Sequence, residues 1–441
     1  MLLFHSVARM EKCRWGFSEA MRLSIHTYGT RGDVQPYLAL ARRLTAAGHR
    51  VTFATAARFE QFVTASGIAF APLPDDMLDL IDTPAARAML SGRGSLSWIV
   101  RLVREVRPMM RRMLDAQWAA ASSGADAIVY HPKASGGAHI AERLGIPAFV
   151  ALPLPGLTPT RAFPSPMLPF ADLGPLNAVS HRLFLGYAGA IFRGPVHRWR
   201  QDVLGLPPAG GDHSIRGVPL PRLYPYSEHV VPRPSDWDEN SQVTGYWFLE
   251  EPGDWRPDPM LQAFLNRGPA PVYVGFGSIP SLDPTATTSM VVKALAMAGQ
   301  RGLLAVGWGG LAPEAAIQHV HVLDAAPHDR LFPHVSAVVH HGGAGTTAAA
   351  LRAGKPIVVC PSFGDQPFWG RRVAALGAGP APLTRKSMTP STLAEAIGIA
   401  ANDPAMRDRA ATLGAAIRSE DGVARAVDFI ERRVSEHGRA S

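Results

Sequence analysis

Short apolar runs alternate with helix-period stretches along this chain, and the alternation occurs twice. A parallel strand pair needs a crossover, so this rhythm selects an α/β fold with doubly wound sheets. In the first half, Arg22–Thr27 reads as a strand. The loop Tyr28–Pro36 follows, then Tyr37–Ala47, with Leu38, Leu40, Ala41 and Leu44 at helical spacing. Gly48 stands where a helix-ending glycine belongs. Arg50–Ala54 reads as the next strand and Ala57–Ala65 as the next helix. Ala127–Tyr130 and Ala148–Leu152 read as strands around a helix near Gly137–Leu144. In the second half, Pro271–Gly275, Leu303–Val306, His321–Leu323, Ala337–His340 and Ile357–Cys360 read as strands. Helices are expected near Thr285–Ala298, Gly345–Arg352 and Pro367–Leu376.

A length of 441 residues suits two domains of about 200 residues each. The Pro- and Trp-rich stretch Val231–Pro259 reads as the linker. The expected organisation is a leader over 1–20, one Rossmann-like domain over 21–235 and a second over 236–418. A terminal helix over 419–441, amphipathic across Val423–Val434, is expected to pack back toward the first domain. The leader has no continuous apolar region and reads as a disordered extension or an over-long start. No stretch is long and apolar enough for a transmembrane helix. The cysteines, Cys13 and Cys360, form no metal-ligand spacing, which fits a reducing cytoplasm. The net charge of +8 suits anionic partners. Basic residues are not interleaved with aromatics in any nucleic-acid motif, so nucleic acid is the weakest of these.

The sharpest motif is Val338–Thr347, an apolar strand running into His341-Gly342-Gly343-Ala344-Gly345 and then Thr346-Thr347. A glycine loop opening a helix presents bare amides and a positive dipole end to an anion. Thr346 and Thr347 can add hydroxyl donors, and His341 can donate to a phosphate. A second motif, Ser362-Phe363-Gly364-Asp365-Gln366-Pro367, puts a carboxylate beside an amide at a helix start. That pair matches sugar hydroxyls, which both donate and accept; an N-cap is the plainer reading of Asp365. Ala326 and His328 follow another strand and suit a base edge and a ribose or phosphate. Trp308 offers a stacking platform and Ser278 a hydroxyl donor. In the first half, Thr30, Arg31 and Asp33 fall in a strand-end loop. Asp33 is a candidate general base, Arg31 a phosphate partner, and His26, ending the strand, is a second candidate base.

With these loops quoted, the chain resembles the family 1 glycosyltransferases of GT-B architecture, two Rossmann-like domains facing across a cleft. The likeness is nearest to sterol 3-beta-glucosyltransferases and bacterial antibiotic glycosyltransferases. Gly29–Thr55, Ala326–Val359 and Cys360–Val373 carry it. The resemblance implies an inverting, metal-independent hexosyltransferase with UDP-glucose as co-substrate and no cofactor. It implies that Ser278, Ala326, His328, His341, Gly345, Thr346, Asp365 and Gln366 hold the UDP-sugar, within the loop that also contains Gly343 and Ala344. Thr30, Arg31 and Asp33 match the first-domain loop. Plant-type members keep a histidine base there, and sterol-type members a tryptophan where this chain has Arg330, so Asp33 and His26 both stand as base candidates.

The expected acceptor is lipophilic, a sterol or similar lipid. A macrolide, carotenoid or polyketide glycosylated from a UDP- or dTDP-sugar is the alternative. An epimerase on the same fold and an inactive nucleotide-sugar-binding module are weaker readings. Ser97–Trp118 is an arginine-rich amphipathic segment with Pro108 as an expected kink. It suits a solvated surface helix, a roof over an apolar pocket or a peripheral membrane contact. Met167, Leu168 and Phe170 read as pocket lining.

Overall fold

The computed structural model describes residues 20–81, 83, 96–208, 213–250, 255–276, 283–306, 319–324, 326–384 and 386–440. Two parallel sheets organise them. The first contains β1 (Arg22–His26), β2 (Arg50–Ala56), β3 (Ala69–Leu73), β4 (Ala127–Tyr130) and β5 (Ala148–Ala151). A small antiparallel ribbon, β6 (Ser214–Ile215) and β7 (Val218–Pro219), stands apart. β8 (Arg222–Tyr224) and β9 (Ser241–Val243) complete the first sheet, in the order β3-β2-β1-β4-β5-β8-β9. The second sheet has β10 (Val272–Gly275), β11 (Gly302–Ala305), β12 (Val320–Leu323), β13 (Ala337–His340) and β14 (Ile357–Val359), in the order β12-β11-β10-β13-β14. β4, β5, β10, β13 and β14 are buried at every residue. Helices cover both faces of such strands, which is why they read as unbroken apolar runs rather than as alternation.

The first helix spans Arg31–Ala46, so most of the expected loop is already helical. Thr30 is its N-cap, and the Asp33 carboxylate accepts from the Thr30 backbone N–H at 2.8 Å. This reciprocal cap moves the helix start upstream of Pro36. The first sheet also extends further than expected, because β9 lies beyond the boundary at residue 235 and inside the anticipated linker. That stretch is held by its tryptophans. Trp237 stacks on Tyr224 at 4.6 Å, and Trp247 meets Tyr37 edge-on. The last helix, Gly422–Ala440, returns to the first domain and buries Ala426, Val427, Phe429 and Ile430 among residues of β1 and the helix Arg31–Ala46. Glu431 meets His49 at 2.8 Å and Phe429 meets Phe149 edge-on.

The arginine-rich segment forms a continuous helix, Leu96–Ser122, with Pro108 inside it. Over its second half one side packs inward and the other pairs with neighbouring carboxylates. Met110, Met113 and Leu114 are buried, Arg111 pairs with Asp115 and Asp202, and Arg112 pairs with Asp76. A second long helix, Asn177–Asp202, crosses it. That helix is anchored by Arg200, which is only 2% exposed and meets Glu142 at 2.8 Å. Arg200 also donates to the Pro207 carbonyl. Removing one member of a buried pair strands the other without compensation. Arg200→Met should therefore destabilise the protein by about 3–5 kcal/mol, read as a lowered urea midpoint at unchanged slope.

Candidate active site

In each sheet the strand order reverses beside the first strand. β2 and β4 flank β1, and β11 and β13 flank β10. Loops leaving the carboxyl ends of such pairs diverge to opposite faces and leave a crevice between them. Both crevices open onto one cleft of about 1910 Å³ lined by residues of both domains.

On the first-domain wall, β1 and β4 are in register with His26 opposite Tyr130. The residues just beyond them, Thr30 to Asp33 and His131 to Lys133, therefore meet. Lys133 Nζ donates to Asp33 Oδ1 at 2.8 Å, and His131 Nε2 lies 3.6 Å from the same oxygen. Thr30 supplies its N–H to Oδ2 at 2.8 Å and its hydroxyl at 3.2 Å. His131 at 3.6 Å is beyond hydrogen-bond length, so the three hydrogen bonds leave one of about four lone-pair sites on the carboxylate open. Gly29 makes this packing feasible. Its φ is +140°, and a side chain there would overlap the Asp33 carboxylate, with Cβ 2.2 Å from Oδ2. Burial pushes the Asp33 pKa up, but Lys133, His131 and the hydrogen bonds outweigh it and hold the group below its ordinary value. His131 is pushed down to about 3 by burial. Its Nδ1 accepts the Lys133 backbone N–H, leaving the ring proton on Nε2 toward Asp33. Sequence reasoning missed His131 and Lys133. The only local signal is a basic pair directly after a strand.

His26 is a correction. It is fully buried, its Nε2 is engaged with Ser24 Oγ at 2.7 Å, and it does not line the cleft. Burial lowers its pKa to about 4. A ring sealed in the core has no route to a substrate proton.

On the opposite wall, β13 runs through His341–Gly343 into the helix Ala344–Arg352. Gly343 is the N-cap and supplies no side-chain cap. The Thr347 N–H bonds to the Gly343 carbonyl, so the amides of Ala344, Gly345 and Thr346 are the bare donors of the first turn. These residues line the cleft. Thr346 lines the cleft, whereas Thr347 is buried and its hydroxyl bonds to Gly343 O at 2.9 Å. His341 lines the cleft, and burial lowers its pKa to about 4, so its ring is neutral near pH 7. His328 is likewise lowered to about 4, by burial first and then by Arg31 across the cleft. It stacks on Phe332 at 4.4 Å. Arg31 lines the cleft from the first domain and rests against the Phe62 ring.

Asp365 sits at the N-cap position of the helix Gln366–Ala375 but caps nothing with its side chain. Its Oδ2 accepts from Trp369 Nε1 at 2.8 Å, and burial raises its pKa. Gln366 Oε1 accepts the Ser362 and Phe363 N–H groups, which fixes the loop before the helix. Asp365, Gln366 and Ala326 all line the cleft. Ser278 and Trp308 lie outside the described residues. Of the loop expected as pocket lining, Met167 faces the cleft, while Phe170 is 47% exposed. The apolar side of the cleft is built from Leu152, Phe184, Leu185, Phe192 and Trp247. One cleft thus combines a helix start with bare amides, a carboxylate–amide pair, a single open carboxylate position and an apolar wall.

Residues 23–164 match the glycosyltransferase family 28 N-terminal domain, and residues 314–428 match the erythromycin biosynthesis protein CIII-like C-terminal domain. The chain is 38% identical to sterol 3-beta-glucosyltransferase UGT80B1 of Arabidopsis thaliana, over 94% of this chain and 68% of that one. It is 39% identical to the sterol 3-beta-glucosyltransferase of Aspergillus fumigatus, again over 94% of this chain, but spans only 30% of that fungal relative's length. Among solved structures, the glycotransferase of kitacinnamycin aligns with a TM-score of 0.71 at 22% identity, covering 94% of this chain and all of its own. The calicheamicin glycosyltransferase CalG4 aligns at 0.62 and 21%, covering 95% and 99%. Both share the GT-B fold seen here.

Gly342 has φ +92°, and a Cβ there would lie 2.7 Å from Val359 Cγ1. Gly342→Ala should lower stability by about 1–3 kcal/mol and weaken pyrophosphate binding measured by calorimetry. Gly345→Ala, where the added methyl meets open space, should leave stability within about 1 kcal/mol of the parent.

Proposed function

The chain belongs to the sterol 3-beta-glucosyltransferase family of glycosyltransferases, and from that premise we propose that it transfers glucose from UDP-glucose to a hydroxyl of a sterol-like acceptor, inverting the anomeric carbon. The observation that carries this reading is the row of uncapped amides at Ala344, Gly345 and Thr346, across the cleft from Asp33. An uncapped helix start is a ready diphosphate site, and Arg31 adds positive charge from the other domain.

In this reading the acceptor oxygen attacks the anomeric carbon as its proton passes to the open position on Asp33. The bond from the anomeric carbon to the β-phosphate oxygen breaks on the opposite side. The charge that develops on UDP is met by the helix start, His341, Thr346 and Arg31. Asp365 and Gln366 hold the sugar hydroxyls, Ala326 and His328 the nucleoside end, and no metal takes part. The apolar wall around Phe184, Leu185 and Phe192 receives the acceptor. Among the described residues no helix is long and apolar enough to cross a membrane.

Asp33→Asn should lower kcat by about 10²–10⁴-fold with UDP affinity unchanged by calorimetry. A chain that does not bind UDP, or an Asn variant with full turnover, would refute the proposal. The pH dependence follows from the sign of the Asp33 shift. The base must be ionised, and its partners hold it below the ordinary carboxylate value, so turnover should persist into acid and fall only as pH drops through that lowered value. Lys133→Met leaves burial less opposed, and the acid limb of the kcat/KM profile should move to higher pH.

A further inference from the structure

The helix Asn177–Asp202 carries apolar residues on two opposite sides. Phe184, Leu185, Ala188 and Phe192 line the cleft. Leu176, at the residue before the helix, and Val179, Leu183 and Tyr187 face away from it, exposed by 59%, 39%, 69% and 69%. Their spacing of three, four and four residues puts them in one stripe along about 16 Å of helix. Large apolar side chains grouped in this way mark a contact site, unlike singly scattered ones.

The charges along the exposed side of the helix are mainly positive. Arg182, Arg193 and Arg198 are exposed on the same helix, and Arg193 also reaches the cleft rim. The only acidic residue of the helix is Asp202 at its far end, where it pairs with Arg111. An apolar ridge flanked by three arginines, with one carboxylate at its start, Asp172, already bonded to Asn177 and the Gly174 N–H, fits an anionic bilayer surface. The apolar side chains enter the headgroup–acyl boundary, and the guanidinium groups reach lipid phosphates.

We propose that Leu176, Val179, Leu183 and Tyr187, with Arg182, Arg193 and Arg198 beside them, form the face by which this protein docks on anionic membrane. Because the opposite side of the same helix walls the acceptor region, docking brings the apolar end of the cleft to the lipid from which an acceptor is drawn. This rests on the reading of the acceptor as lipophilic. It differs from the sequence-based expectation in using this helix and not the arginine-rich one at Leu96–Ser122.

The full chain is tested for co-sedimentation with phosphatidylcholine vesicles with and without phosphatidylglycerol, alongside the double variant Leu183→Asp/Tyr187→Asp. Both positions are mostly exposed, so thermal melting should not change. The parent should bind the anionic vesicles, less tightly in high salt, and the variant should bind them about tenfold or more weakly. Transfer to a sterol embedded in those vesicles should fall in parallel, while transfer to the same sterol dispersed in detergent stays at the parental rate. Equal vesicle binding by parent and variant, or no binding by the parent, overturns the proposal. So does a variant that dissociates a homodimer in sedimentation while binding vesicles normally, since the face would then contact a second copy. Vesicle binding that depends on Leu183 and Tyr187 in a protein that glycosylates no acceptor would support the docking face and refute the transferase reading separately.

Discussion

Hydrogen bonding along a parallel sheet fixes what lies at its carboxyl edge. Once β1 sits between β2 and β4, the turns after β1 and β4 have to share one corner. That corner is where Asp33, His131 and Lys133 converge, although about a hundred residues separate them in sequence. The second sheet repeats the arrangement, with Gly275 opposite His340, and so leads the glycine turn to the matching corner. The two corners face one another, and the chemistry of the cleft follows from that opposition.

Its electrostatics are selective. Histidines cluster around the cleft, yet His131, His328 and His341 are all kept neutral by burial. Fixed positive charge comes instead from Arg31, Lys133 and the dipole of a helix start. Asp33 and Asp365 sit on opposite walls with opposite perturbations. The first is drawn down by Lys133 and its hydrogen bonds, and the second is pushed up by burial. Two carboxylates set apart in this way can take different tasks in one reaction.

Much of this was legible in the chain itself. Strands covered on both faces announce themselves as apolar runs, and the glycine turn before Thr346 has a composition few other structures require. Other parts had no local signature. β8 and β9 are short, RLY and SQV, and carry no periodicity to read. Asn177–Asp202 was hidden because Gly186, Gly189, Gly194 and Pro195 argue against a helix, and because apolar residues on two sides blur the pattern that marks one. Pro36 masked the start of the first helix, where the Thr30–Asp33 cap was the better guide. The partnership of Asp33 with Lys133 could not be read at all, since it depends on which strand pairs with β1. His26 looked available only because burial is invisible in a list of residues.

The chain passes between the domains twice, once after β9 and again after Arg418, and the two passages touch where Gly245 meets Gly422. Beyond that point the final helix is bonded into the first domain through Phe429, Ile430 and Glu431. A single connection would let one half swivel freely about the other. A doubled one ties the halves together beside Gly245 and Gly422, and side chains add to it: Phe163 packs on Phe368, Tyr226 meets Trp369 edge-on, and Arg372 donates to the Val230 carbonyl. The relative placement of the two walls of the cleft therefore rests on side-chain packing as well as on covalent connection.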